Sequence, residues 1–121
     1  TDSNPPPLER LIHFTQSAIM GMQKYQYKRG CLVGNLNQEL NHLSDEFKTR
    51  LLQSYVAWQQ QVEQCLNEAQ QQGTLAKTVD TQLMSEYFWI GWEGAVMRAK
   101  LTQSSKPLTL YTEMFLRALL T

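Results

Sequence analysis

An all-α fold is predicted from three observations on this 121-residue chain. Leu8, Leu11, Ile12, Thr15, Ile19 and Met22 recur at helical spacing near the start. A longer stripe, Phe47, Leu51, Tyr55, Trp58, Val62, Leu66 and Ala69, alternates steps of four and three over about seven turns. Two further stretches, on either side of Ser105, carry apolar residues around almost their whole circumference. With a shorter helix between the first two of these four segments, five helices are predicted.

The first opens on Pro5 to Pro7, which suit an initial turn, and runs to about Tyr25. Arg29 and Gly30 break its pattern, and a shorter second helix from Cys31 to about Leu40 turns Leu32, Val33, Leu36 and Leu40 inward, with Asn41 to Leu43 as the joint. The third has Ser44 as N-cap, Asp45 and Glu46 in its positive first turn, and Gly73 as its stop. Its other face is glutamine-rich, and the runs Gln59 to Gln61 and Gln70 to Gln72 read as solvated surface. After a loop from Thr74 to Val79, Asp80 or Thr81 caps the fourth helix, which reaches about Thr102. Ser105 caps the fifth, with Pro107 in its first turn.

The fourth helix has two sides to bury. Met84, Tyr87, Gly91, Gly94, Ala95 and Arg98 fall on one, and Trp89, Glu93, Val96 and Lys100 on the other. Each glycine costs about 1 kcal/mol of helix stability relative to alanine, and close approach of another helix is one way to recover it. The fifth helix is equally two-sided, with Leu108, Leu110, Tyr111, Met114, Phe115, Leu116, Ala118, Leu119 and Leu120 around it. Two such helices from each of two subunits would form an intermolecular four-helix bundle. The expected seam is Met84, Tyr87, Gly91, Gly94, Ala95, Arg98, Tyr111, Met114, Phe115 and Ala118.

Composition narrows the function. The chain has the length of one domain and no initiator methionine, and Thr1 to Pro7 read as a linker, so a fragment of something longer is expected. Eleven basic and eleven acidic residues leave no formal charge, poor material for the counterion-releasing surface that DNA binding needs. Cys31 and Cys65 have no zinc spacing and make no disulfide framework, which fits a reduced, cytoplasmic protein. No apolar run approaches the roughly 20 residues that span a bilayer, so no membrane partner is expected.

Phe14, Tyr55, Trp58, Phe88, Trp89 and Trp92 come from three helices that should face one another, as an aromatic core or as the wall of a ligand pocket. Cys31 follows Lys28, Arg29 and Gly30 at a helix start, where positive charge and free N–H groups favour a thiolate; the alternative is a small buried residue. Lys100 could pair with Glu93, bind an anionic ligand, lie beside Cys31 or extend to solvent. His13 and His42 stand apart from other metal ligands, and no phosphate loop or nucleophile elbow occurs, so neither metal, cofactor nor catalysis is expected.

The order Trp92-Glu93-Gly94-Ala95, Arg98-Ala99-Lys100, Ser104 and Lys106-Pro107-Leu108 resembles the end of the ligand-binding, dimerising domain of TetR-type transcriptional regulators. The resemblance extends back through Arg29-Gly30-Cys31-Leu32-Val33-Gly34-Asn35-Leu36 and the long helix ending at Gly73, and so covers most of the chain. It implies a five-helix sensor domain over residues 1–121, a homodimer, and a small-molecule effector. Candidates to line its cavity are Phe14, Cys31, Asn35, Tyr55, Trp58, Trp89, Trp92, Glu93 and Lys100. Operator DNA would be held by an N-terminal helix-turn-helix domain absent from this chain, and effector binding would release it. Two other readings stand beside this one: an electrophile or redox sensor acting through Cys31, and a helical dimerisation module without a ligand.

Overall fold

The computed structural model describes residues 6–24 and 45–121. Among them are four helices and no strand: α1 (Pro7–Lys24), α2 (Asp45–Gln71), α3 (Thr81–Thr102) and α4 (Lys106–Leu120). The helix expected from Cys31 to about Leu40, the Ser44 cap, and the candidates Cys31 and Asn35 lie outside the described residues.

Local chemistry sets the helix ends. The chain leaves α2 through Gly73 at φ +80°, and the N–H groups of Thr74 and Leu75 return to the Ala69 carbonyl at 3.0 and 3.3 Å. Gln70, expected as idle surface, instead ties down the following loop: its amide donates to the carbonyls of Ala76 (3.0 Å) and Val79 (2.9 Å). Asp80 caps α3 by accepting from the Leu83 N–H at 3.1 Å. At the other end Gln103 takes the left-handed conformation, φ 55°, that glycine usually supplies. Ser105 occupies the N-cap position of α4 but makes no side-chain cap bond there; the Ser104 hydroxyl accepts from the Lys106 N–H instead, at 3.1 Å.

α3 packs on α2 along one side and on α4 along another, while α1 lies across α2 and reaches α4. Leu66, Ala69, Phe88, Ala99 and Leu108 are wholly buried at the centre. Phe88 is the hub, stacked on Trp92 at 5.7 Å and edge-on to Phe115 at 5.0 Å. Thr15, buried on α1, is satisfied by donating to the Ile12 carbonyl at 2.7 Å.

The expected glycine contact has a different author from the one the pattern suggests. A Cβ at Gly91 would collide with the ring and hydroxyl of Tyr111, on α4 of the same chain. The Tyr111 hydroxyl lies over α3, shared between the carbonyls of Phe88 (2.7 Å) and Tyr87 (2.9 Å). Gly94 meets nothing within 4 Å. Gly91 is thus accounted for inside one chain, and Gly94 is left with open space.

Gly91→Ala should therefore destabilise the fold by about 1–3 kcal/mol, the usual range for overpacking. In the separated chain Gly94→Ala should be neutral or gain up to about 1 kcal/mol from helix propensity. Urea denaturation at matched protein concentration checks both; equal effects would remove the special role of Tyr111.

Candidate functional site

Three helices converge on a set of aromatic rings. Trp89 of α3 stacks on Trp58 of α2 with centroids 5.3 Å apart. Phe14 of α1 lies 5.9 Å from Trp89 and 5.8 Å from Trp92, and Tyr55 is edge-on to Trp58 at 6.2 Å. Around these rings the described helices border three clefts. One of about 330 Å³ opens between α1 and α2, with Phe14, Trp58 and Trp89 as its aromatic wall. A second, about 340 Å³, lies on the other side of the same three rings, against Met22, Trp92 and Val96. A third, about 430 Å³, runs between α2 and α3 past Tyr55, Trp89 and Glu93.

The structure thus brings together Phe14, Tyr55, Trp58, Trp89, Trp92 and Glu93 from the expected set. Phe88 belongs to the central core instead. Lys100 is half-buried about 10 Å farther along α3 than Glu93 and lines none of these three clefts.

The polar rim of the first cleft was missed. Arg10 and Glu68 form an ion pair there at 2.6 Å, each side chain 36% exposed. Cys65, which carries no distinguishing feature in the sequence, lies in the same wall, and its thiol donates to the Pro7 carbonyl at 2.7 Å. Burial chiefly pushes the Cys65 thiol above its ordinary value of 9.0; the nearby Glu68 carboxylate adds to this, and Arg10 together with a hydrogen bond from the Leu11 backbone opposes it. A signal did exist: Trp58, Gln61, Cys65 and Glu68 follow steps of three and four along the flank of the α2 stripe, all lining this cleft.

On another side of α3 runs a longer groove, about 690 Å³, between α3 and α4. Gly91, Gly94 and Ala95 form its floor, and Arg98, Tyr111 and Met114 its walls. Of the residues expected at a dimer seam, Tyr87, Gly94, Arg98, Met114 and Ala118 are exposed, and Met84, Gly91 and Tyr111 are partly so. Phe115 is a correction: at 2% exposure its side chain belongs to the chain's own core, because α4 turns it toward Phe88. Ala95, 9% exposed, lies between the two, packed in the core and still part of the groove floor. Burial first, then the neighbouring Tyr87, pushes the Tyr111 phenol far above its ordinary range, so it remains a hydrogen-bond donor.

A profile of the family described as tetracyclin repressor-like, C-terminal domain, matches residues 7–115. The chain belongs to the TetR family of transcription regulators. It is 43% identical over 120 residues to the transcriptional regulator AcuR of Cereibacter sphaeroides, covering 99% of this chain and 55% of that protein. It is 29% identical over 119 residues to the HTH-type transcriptional repressor DhaR of a Mycobacterium species, strain GP1, covering 98% and 58%. A crystal structure of a TetR regulatory protein from Rhodobacter sphaeroides superposes with a TM-score of 0.91 at 44% identity, over 96% of this chain and 61% of that one. The chain therefore corresponds to little more than half of each TetR relative. These relatives are regulators rather than enzymes. Among the described residues no group of three or more His, Cys, Asp or Glu could hold a metal ion, and no helix is long and apolar enough to cross a membrane.

In a Cys31→Ser background, Cys65 should alkylate slowly with iodoacetamide at pH 8 and accelerate only above pH 9, since its raised value keeps it a thiol. Labelling at the rate of a free cysteine would contradict this. Linkage has the same sign: Cys65 and Tyr111 hold their protons more tightly folded than unfolded, so their contribution is complete below the unfolded values and declines as pH rises toward the folded ones. Urea midpoints should fall above about pH 9, and less steeply in Cys65→Ala.

Proposed function

We propose that this chain is the effector-sensing and dimerising part of a TetR-like repressor whose DNA binding is released by a small molecule. The observation that carries the proposal is the position of α3 between two unfilled features: Trp89 and Trp92 line the aromatic clefts, while Gly91, Gly94 and Arg98 line the groove it makes with α4. The clefts are concave, mostly apolar and edged by a few polar groups, as small-molecule sites are. The groove is continuous with exposed apolar side chains, Tyr87, Leu110 and Met114 among them, that a second copy would cover.

A two-fold dimer through α3 and α4 places the same surface on both sides of the axis. A ligand that prefers one packing of α1 and α2 against α3 shifts the population toward it. The DNA-reading heads of the longer protein must span half-sites about one helical turn apart, so displacements of a few ångströms suffice to weaken their grip. In this reading DNA is contacted through the N-terminal portion that the longer relatives contain, and the balanced charge of the present chain accords with that division.

Two measurements test the proposal. By sedimentation the chain should be a dimer at micromolar concentration, and Met114→Glu, at a position 51% exposed within one chain, should raise the dimer dissociation constant roughly 100-fold while leaving helicity intact. A monomeric wild type, or a dimer indifferent to Met114→Glu, contradicts the seam. In a thermal-shift screen of small apolar molecules, some should raise the melting temperature, and Trp58→Ala should abolish their effect. An absence of protecting molecules, or protection that survives Trp58→Ala, contradicts the cleft.

A further inference from the structure

Trp89 is the one described residue that lines all three clefts. It is 7% exposed, and its indole Nε1 is buried without a hydrogen-bond partner. Leaving such a donor unsatisfied costs about 1–3 kcal/mol, and native folds tolerate few of them without a reason. Here the neighbours are aromatic: Trp58 covers one face of the indole, Phe14 lies against it, and Phe88 meets it edge-on at 5.7 Å.

We propose that the acceptor for the Trp89 indole N–H is the effector itself, a small planar molecule that presents a carbonyl-type oxygen and seats its apolar remainder between Phe14 and Trp58. This rests on the reading of the clefts as the effector site and names the ligand chemistry that site selects. The indole nitrogen is buried, and the proposed route to it is displacement of Phe14, which is 42% exposed and the least confined ring of the set. The unsatisfied donor gives the oxygen-bearing ligand a preference for the opened arrangement that an apolar molecule of the same shape lacks. α1 carries Phe14, and its first turn is held to α2 by the Arg10–Glu68 pair and the Cys65 bond to Pro7, so displacement of Phe14 strains the joint between those helices.

The test uses acetophenone, benzoate and α-methylstyrene, three molecules of nearly one shape. The first carries a neutral carbonyl oxygen, the second an anionic carboxylate, and the third a methylene in place of oxygen. The three tryptophans give three indole N–H signals in a proton–nitrogen correlation spectrum of the 121-residue chain, and Trp89→Phe assigns the relevant one. At least one of the two oxygen ligands should move the Trp89 signal downfield and bind roughly tenfold more tightly than α-methylstyrene. Which of the two does so shows whether the selected oxygen is neutral or anionic. In Trp89→Phe the advantage over α-methylstyrene should disappear. Equal binding of all three without a downfield shift overturns the inference and leaves the effector site standing. Binding of none overturns both. Because the shift is read on the unaltered chain, the result does not depend on the variant folding.

Discussion

Tyr111 lies where a side chain at position 91 would otherwise be, and the rest of the arrangement depends on that close approach. It brings α4 against α3 tightly enough for Phe115 to reach Phe88, which closes the core on that side. The shared hydrogen bond of Tyr111 to the Tyr87 and Phe88 carbonyls fixes the rotation of α4 about its own axis. With that rotation set, Met114 and Leu110 remain on the outside and the groove between the two helices stays open. The exposed Thr109, Glu113 and Arg117 already mark the outer side of α4, and the close approach of Tyr111 to Gly91 fixes that phase against α3.

The opposite side of α3 is organised by aromatic contact instead. Trp89 and Trp92 are held by stacking on Trp58 and Phe88, and Phe14 leans on both from α1. Rings of this size leave gaps where three helices meet at different angles, and those gaps are the clefts. The rings that bury α3 are therefore also the walls of the clefts.

Much of this was legible in the sequence. The α2 stripe, the Asp80 cap and the Gly73 stop depend on spacing and on local chemistry, and they are found where expected except at Phe47, which is 38% exposed at the start of the stripe. The convergence of Phe14, Tyr55, Trp58, Trp89 and Trp92 was legible for the same reason, each being placed by its helix period. What was not legible depended on partners distant in sequence. A glycine announces close approach but not by which helix, so Gly91 read as a contact with a second subunit when Tyr111 of its own chain fills the space. Phe115 belongs to the inner side of α4 although the sequence places it at the seam, because its partner is Phe88 of α3, a contact that the α4 sequence does not announce. The helical spacing of Trp58, Gln61, Cys65 and Glu68 marks one wall of the first cleft, but Pro7 and Arg10, which complete the surroundings of Cys65, are brought to it only by the fold.

In the function proposed above, α3 is one rigid element with a sensing face and a pairing face, so that events on either are felt on both. The Gly94 amide tests it most directly, since a Cβ at Gly94 would point into open space on the groove side. Its nitrogen–proton signal would be followed in two titrations, dilution of the protein and addition of a molecule that protects the fold through Trp58. The account predicts that the Gly94 signal moves in both, on dilution because a second copy leaves the groove and on ligand addition because α3 shifts as a unit. A signal that responds to dilution but ignores the ligand, or to neither, would contradict it.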